Sequence, residues 1–341
     1  MTDLESPYRQ RATLLTHLPP LLAEFGVSLA PVLEGTGVSA DQLVPGAYIP
    51  YAGMLMILDR AAALSGRDDL GVLLGERQTL ASLGPAGQVM TLAATVGEAL
   101  NDYSQFHMWN STGAAAYVYR TPLDVVFGYG IYDPAGPGAV QIHNLVLAAG
   151  CMLLLKLTGK KVQPVEIWSM GPRPSKPALL ECLAGCPVRY RQDRSCIFLP
   201  LTEVDAPLPR ADRTAHAAAL AQLAARTAPG PWGMAARVRH ALRASIVSGR
   251  SDMPEIAVRL QLHPRTLRRA LEREGTTFAA LRDEVLHTVA RELLSLTTLH
   301  VSDIALALNY AHTGAFSNAF RRWSGTTPSE WRRLHAVGLP R

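Results

Sequence analysis

Lysine is missing from the last third of this chain, and cysteine is scarce throughout. The 341 residues hold only four cysteines, Cys151, Cys182, Cys186 and Cys196. So few in so long a chain exclude a disulfide-built scaffold, and buried reduced thiols are expected. The spacing Cys182-x-x-x-Cys186 with Cys196 lacks a paired C-x-x-C, so no metal site is expected, and no cofactor. Charged residues are 18% and aromatic residues 6% of the chain. With 48% hydrophobic residues, that composition fits a packed core and excludes a disordered polar chain. Long apolar runs are absent as well. The longest, Leu145 to Leu155, ends at Lys156. A membrane span takes roughly 20 apolar residues, so this run reads as a buried helix, and no membrane partner is expected. The start, MTDLESPYRQ, is polar and acidic. It reads as no signal peptide, and a cytoplasmic location is expected. Asn110-Ser-Thr then carries no meaning as a glycosylation sequon. Gly128-Tyr-Gly130 does not open a helix, so it is no dinucleotide loop. Nothing matches a nucleophile elbow or a metal-protease motif.

The positive charge is unevenly placed. From Gly233 to Arg341 there are 16 Arg, no Lys and 9 acidic residues, a net of +7. The rest of the chain has 17 basic and 19 acidic residues, a net of −2. A basic module on a near-neutral body points to a polyanion partner for the module alone. Arginine is the residue suited to bidentate contacts with phosphate or guanine.

The length suggests more than one domain. Residues 1–205 read as an α+β unit, an effector-sensing and dimerisation domain with a small sheet packed on helices. Residues 11 to about 110 look helical, with Leu14, Leu15, Leu18, Leu21 and Leu22 at helical spacing. Ala52 to Leu64 and Val96 to Tyr103 read likewise, the latter opened by the capping box Thr95-Val-Gly-Glu98. From Tyr117 to Ile131 apolar residues alternate around a turn at Thr121-Pro122, which predicts a hairpin. After the loop from Asp133 to Gly138, a helix is expected over Val140 to Leu157, closed by Gly159. A strand over Val162 to Met170, a short helix over Lys176 to Ala184 and a strand pair over Val188 to Leu199 complete the unit. Residues 206–232 read as a linker, with a helix from His216 to Arg226 between prolines.

Residues 233–341 repeat one idea twice. From Met253 the chain reads MPEIAVRLQLHPRTLRRALEREG, and from His300 it reads HVSDIALALNYAHTGAFSNAFRRWSG. Each run has an Ile-Ala pair, a tight turn, an Arg-bearing second helix and a closing Gly. That is helix-turn-helix grammar, at about 252–275 and 300–325, and the partner it implies is double-stranded DNA. A long helix, about Phe278 to Ser295, joins the two. Asp252 is placed to cap the first helix, and Pro264 stands where its missing N–H costs nothing. Leu267 and Leu271 then face inward, and Arg265, Arg268 and Arg269 outward. In the second copy Phe316 and Phe320 face inward, while Thr313, Gly314, Ser317, Asn318 and Arg321 face outward. Thr327-Pro-Ser-Glu330 predicts a last capped helix.

Ile256-Ala, Pro264-Arg-Thr-Leu-Arg-Arg, Glu274-Gly-Thr, Ile304-Ala, Phe316, Phe320-Arg-Arg-Trp323, Gly325 and Pro328-Ser-Glu-Trp-Arg332 together resemble the DNA-binding domain of the AraC/XylS family of bacterial transcription regulators. The resemblance implies two recognition helices in successive major-groove segments, roughly 34 Å apart. Its DNA-facing residues would be His263, Arg265, Thr266, Arg268, Arg269, Arg273, His312, Thr313, Gly314, Ser317, Asn318, Arg321 and Arg322. The chain departs from the family at Asn309, where Gly is usual, and at Gly314 and Asn318, where Ser and Arg are frequent. Asn tolerates the left-handed conformation, so the turn is expected to survive. Readout is expected to lean on the first copy.

More loosely, Asp69-Leu-Gly-Val-Leu-Leu-Gly75, Leu83-Gly84 and Thr95 to Leu100 are similar to the arabinose-binding-domain-like sensing domain of one subgroup of that family. This implies a small-molecule effector, a homodimer, a contact with RNA polymerase and, more often than not, activation. Tyr51, Trp109, Tyr129 and His143 are candidates to line an effector pocket, and each also reads as ordinary core. The competing function is a DNA-tethered enzyme such as an alkyl-transfer repair protein, which would need a low-pKa Cys.

Overall fold

Hydrogen-bonded edges and one long apolar helix organise the first two hundred residues. The computed structural model describes residues 8–121, 123–132, 138–159, 162–176, 178–227, 233–246, 251–260 and 262–335. Strand β1 (Arg9–Arg11) precedes two short helices, α1 (Leu18–Glu24) and α2 (Leu29–Leu33), and pairs antiparallel with β2 (Tyr48–Pro50). These three-residue strands interrupt a stretch whose spacing predicts helix. Strands so short leave no periodicity to read. Helix α1 carries Pro19 and Pro20 in its first turn, where no N–H is required.

Helices α3 (Tyr51–Ser65), α4 (Leu70–Glu76), α5 (Pro85–Leu92) and α6 (Val96–Phe106) follow. Thr95 caps α6 by accepting from the Glu98 N–H at 3.2 Å, as the capping box predicts, while the Glu98 carboxylate reaches the Ala94 N–H. The hairpin is β3 (Ala114–Arg120) and β4 (Asp124–Ile131), antiparallel in a register that sets Tyr117 opposite Gly128. Helix α7 (Ala139–Thr158) is 20 residues long and most of its residues are buried. By length and composition it could cross a membrane, but it serves here as the core helix against which α3 and α4 pack.

The remaining elements are β5 (Glu166–Trp168), α8 (Ala178–Ala184), β6 (Val188–Arg189), β7 (Ser195–Pro200) and α9 (Leu201–Val204). The sheet order is β3-β4-β7-β5-β6. The two strands between Val188 and Leu199 are therefore not a hairpin. Strand β5 lies between them, antiparallel to β7 and parallel to β6. Helix α10 (Arg213–Thr227) docks on this unit through His216, whose Nε2 is 2.7 Å from the Asp102 carboxylate, and through Leu223. Residues 206–212, read from sequence as the start of a linker, hydrogen-bond to the backbone of Leu92, Ala94 and Val96. Pro229 and Pro231 lie outside the described residues, as do Pro122 and the loop 133–137.

The carboxyl-terminal domain is all helix among its described residues: α11 (Met234–Ile246), α12 (Met253–Arg259), α13 (Pro264–Arg273), α14 (Phe278–Leu296), α15 (Val301–Ala307), α16 (Thr313–Ser324) and α17 (Pro328–His335). Helix α14 is the rod between two helix-turn-helix units, α12–α13 and α15–α16, and α11 and α17 also pack on it.

Candidate nucleic-acid interface and the seam behind it

Capping positions the first recognition helix. Asp252 accepts from the Glu255 N–H at 2.9 Å, and the His263 Nδ1 accepts from the Arg265 N–H at 3.2 Å. Pro264 is the first residue of α13. Leu267 and Leu271 are buried, while His263, Arg265, Thr266, Arg268, Arg269 and Arg273 are exposed. No ion pair ties down Arg265, Arg268, Arg269 or Arg273 among the described residues. Gly275 follows in the left-handed conformation, at φ 71°.

The second recognition helix, α16, begins the same way. The His312 Nδ1 accepts from the Ala315 N–H at 3.1 Å. Phe316 and Phe320 are fully buried. His312, Thr313, Gly314, Asn318, Arg321 and Arg322 are exposed, and Ser317 is half-buried. Two of these side chains already have partners. Arg321 donates to Asn318 Oδ1 at 3.3 Å, and Arg322 pairs with Asp283 of α14 at 2.9 Å. The turn before α16 has Asn309 at φ 60°. Asparagine there holds the left-handed geometry for which glycine is the default. Behind α16, the Thr327 Oγ1 accepts from the Glu330 N–H at 3.3 Å, and the Thr327 N–H donates to the Glu330 carboxylate at 2.9 Å. That reciprocal cap orients α17, whose Trp331 packs edge-on to Phe320.

The residues first read as pocket candidates separate into two places. Tyr51, Tyr129 and His143 come together in the core. The Tyr51 and Tyr129 hydroxyls are 3.1 Å apart, and Tyr129 meets the His143 ring edge-on at 6.1 Å. Trp109 lies apart from them, packed in the cluster of Ala86, Val89, Phe106 and Leu223 under α10.

His143 leads directly to the basic domain. Its Nε2 is 3.0 Å from the Glu292 carboxylate of α14. The other Glu292 oxygen pairs with the Arg243 guanidinium of α11, and Arg243 Nε donates to the Ile131 carbonyl at 3.3 Å. All three side chains are almost wholly buried. Gly130 makes the close approach possible, since a Cβ there would stand 2.0 Å from the Arg243 guanidinium. Beside this cluster the His240 ring of α11 stacks on His107 at 5.8 Å, and its Nε2 lies 3.3 Å from the Ser104 carbonyl. Burial pushes the His107 imidazole down to about 3 and the His240 imidazole down to about 4. Both rings are therefore neutral near pH 7. Arg243 and Glu292 were not legible as site residues, because each read as one more charge on a helix.

Two family patterns match the chain. Residues 26–208 match the family described as the arabinose-binding domain of AraC transcription regulator, N-terminal, and residues 256–334 match a helix-turn-helix domain. The chain belongs to the AraC-type transcription regulators. It is 26% identical over 330 residues to the HTH-type transcriptional regulator VirS of Mycobacterium tuberculosis, covering 96% of this chain and 97% of that one. It is 25% identical over 322 residues to the ornithine utilization regulator of Pseudomonas aeruginosa, covering 92% and 93%. The crystal structure of the transcriptional regulator CdpR from Pseudomonas aeruginosa aligns at 23% identity with a TM-score of 0.48, over 98% of this chain and 99% of that one. As an AraC-type regulator the chain joins an α+β sensing domain to a helical DNA-binding domain.

Cys196 is buried in β7, and burial drives its thiol well above the usual range. Such a thiol is the opposite of a reactive thiolate.

Proposed function

We propose that this regulator reads a promoter with both recognition helices and that a small effector in the amino-terminal domain adjusts its grip. The observation that carries the reading is the free arginine face of α13, with Arg265, Arg268, Arg269 and Arg273 exposed over a buried Leu267–Leu271 stripe. Arg265, Arg268 and Arg269 with Thr266 read base edges, and Arg273 and His263 lie towards phosphate. In α16, Thr313, Gly314, Ser317 and Asn318 face the bases, and His312, Arg321 and Arg322 the backbone. The engagement of Arg321 with Asn318 and of Arg322 with Asp283 favours weaker readout by the second helix than by the first.

The chain acts as a homodimer through its sensing domain, contacts RNA polymerase as an activator, and works in the cytoplasm where promoter DNA is. It is not an enzyme. The repair-protein alternative needs an electropositive, low-pKa cysteine, which the buried Cys196 cannot supply.

The test is Arg268→Ala on duplexes selected by the wild-type chain. The variant is expected to lose about 1–3 kcal/mol at the selected site and to relax preference at one base step. Unchanged affinity and preference would contradict the assignment of α13.

A further inference from the structure

The amino-terminal domain holds a partly open cavity that sequence did not reveal. Its volume is about 60 Å³, counted as space for the centre of a water-sized sphere. One water needs about 10–15 Å³ on that scale, so the space holds about four to six water-sized groups. Its walls are largely apolar, with Leu14, Leu83, Phe127, Leu145 and Ile197 among them. Yet it is also lined by polar residues that each carry a buried, unpartnered atom: Gln10 Oε1, Arg11 Nε, Thr13 Oγ1, Gln78 Oε1, His107 Nδ1 and Asn110 Nδ2. Gln10 and Gln78 are each 2% exposed and His107 is 3% exposed. Buried polar groups are nearly always satisfied in native proteins, so a cluster of orphans around one cavity points to an occupant that hydrogen-bonds.

The atoms specify the occupant. Gln78 spends its Nε2 on the carbonyls of Leu14 and Leu74, at 3.2 and 3.1 Å, so its carbonyl oxygen is the end left over. Gln10 likewise spends its Nε2 on the Arg11 carbonyl at 3.2 Å. Burial keeps the His107 ring neutral, and its Nδ1 has no partner, so it can serve as an acceptor. The cavity thus offers acceptors at Gln10, Gln78 and His107, the Thr13 hydroxyl, and donors at Asn110 Nδ2 and at Arg11 Nε, whose guanidinium also lies over the Tyr48 ring at 5.9 Å. No carboxylate lines it, so a ligand ammonium would lack a counter-charge beside Arg11. A sugar would leave most of its hydroxyls against hydrocarbon.

We propose that this cavity is the effector site and takes a small hydroxy-carboxylic acid with a hydrocarbon body. The carboxylate lies against Arg11, and the hydroxyl donates to Gln10, Gln78 or His107. The proposal rests on the regulator reading and gives it a route of communication. His107 is at once cavity wall and stacking partner of His240 on α11, and Tyr129, also on the wall, meets His107 edge-on at 5.7 Å. An occupant that shifts His107 changes how the DNA-binding domain is seated.

The experiment measures binding of 3-hydroxyhexanoate, hexanoate, hexylamine and arabinose to the full chain by calorimetry, alongside affinity for a selected duplex. The expected order puts 3-hydroxyhexanoate first, hexanoate next, and hexylamine and arabinose undetected. Arg11→Gln should weaken both acids by about tenfold or more, as loss of a charge-assisted hydrogen bond implies. Gln78→Leu should weaken the hydroxy acid alone, and saturating hydroxy acid should change duplex affinity by about 5–150-fold. The proposal is overturned if neither acid binds, if the amine or the sugar binds as well as the acids, or if Arg11→Gln binds them like wild type. The ranking within the wild-type chain decides the matter even where a variant does not fold. Sequence-selective duplex binding together with indifference to every acid sinks the cavity proposal alone. Absence of selective duplex binding sinks the regulator reading whatever the acids do.

Discussion

Glu292 is the residue on which the two domains lean. It is 1% exposed and answers both Arg243 and His143. Removing one partner of a buried ionic cluster leaves the others uncompensated, at a cost of about 3–5 kcal/mol. Glu292→Ala is therefore expected to lower unfolding stability in urea by about that amount. A loss under 1 kcal/mol would mean the cluster is dispensable. Two histidines nearby make stability depend on pH. In the unfolded chain an imidazole takes up its proton near pH 6.5, whereas folded His107 and His240 resist protonation until about pH 3 and 4. The unfolded state then binds more protons below pH 6.5, so the stability from these rings is full above that pH and declines as pH falls. Between pH 6.5 and 5, above the carboxylate range, each histidine is expected to contribute a slope approaching about 1.4 kcal/mol per pH unit. Urea midpoints across that window, compared with His240→Gln, test it. An unchanged slope in the variant would show that His240 is not the group responsible.

At the scale of elements, the helix-turn-helix units were legible because their signals are local. Caps at Asp252 and Thr327, the proline that opens α13 and the glycines that close α13 and α16 all act within a few residues. Asn309 is the informative departure. Its φ of 60° is open to Gly and tolerable for Asn, but costs a β-branched residue about 1–2 kcal/mol. Asn309→Gly should hold or slightly raise the thermal midpoint, and Asn309→Val should lower stability by that cost. If the two variants melt together, the turn does not depend on left-handed geometry. The sheet was only partly legible, because the order β7-β5-β6 depends on a long-range crossover that alternation within one strand does not encode. The cavity was not legible at all. Gln10, Gln78 and the neighbouring His107 and Asn110 come from three distant parts of the sequence, each an ordinary polar residue until the fold brings them to one space. Of the four candidates, Tyr51, Tyr129 and His143 sit at the seam, Trp109 lies under α10, and only Tyr129 also lines the cavity.

For the whole molecule, the segregation of charge and the placement of α14 belong together. The positive excess sits in the domain that carries two exposed recognition helices, and α14 both separates those helices and carries Glu292 into the seam with the sensing domain. A change at the seam therefore acts on the element that sets the spacing of the DNA-reading surfaces. That spacing is most directly tested by hydroxyl-radical footprinting of the full chain on a selected duplex. Two protected segments on one face of the DNA are expected, centred about one helical turn apart, roughly 34 Å. Arg268→Ala should weaken one segment and spare the other. A single protected segment, or protection indifferent to sequence and abolished equally by heparin, would contradict the account.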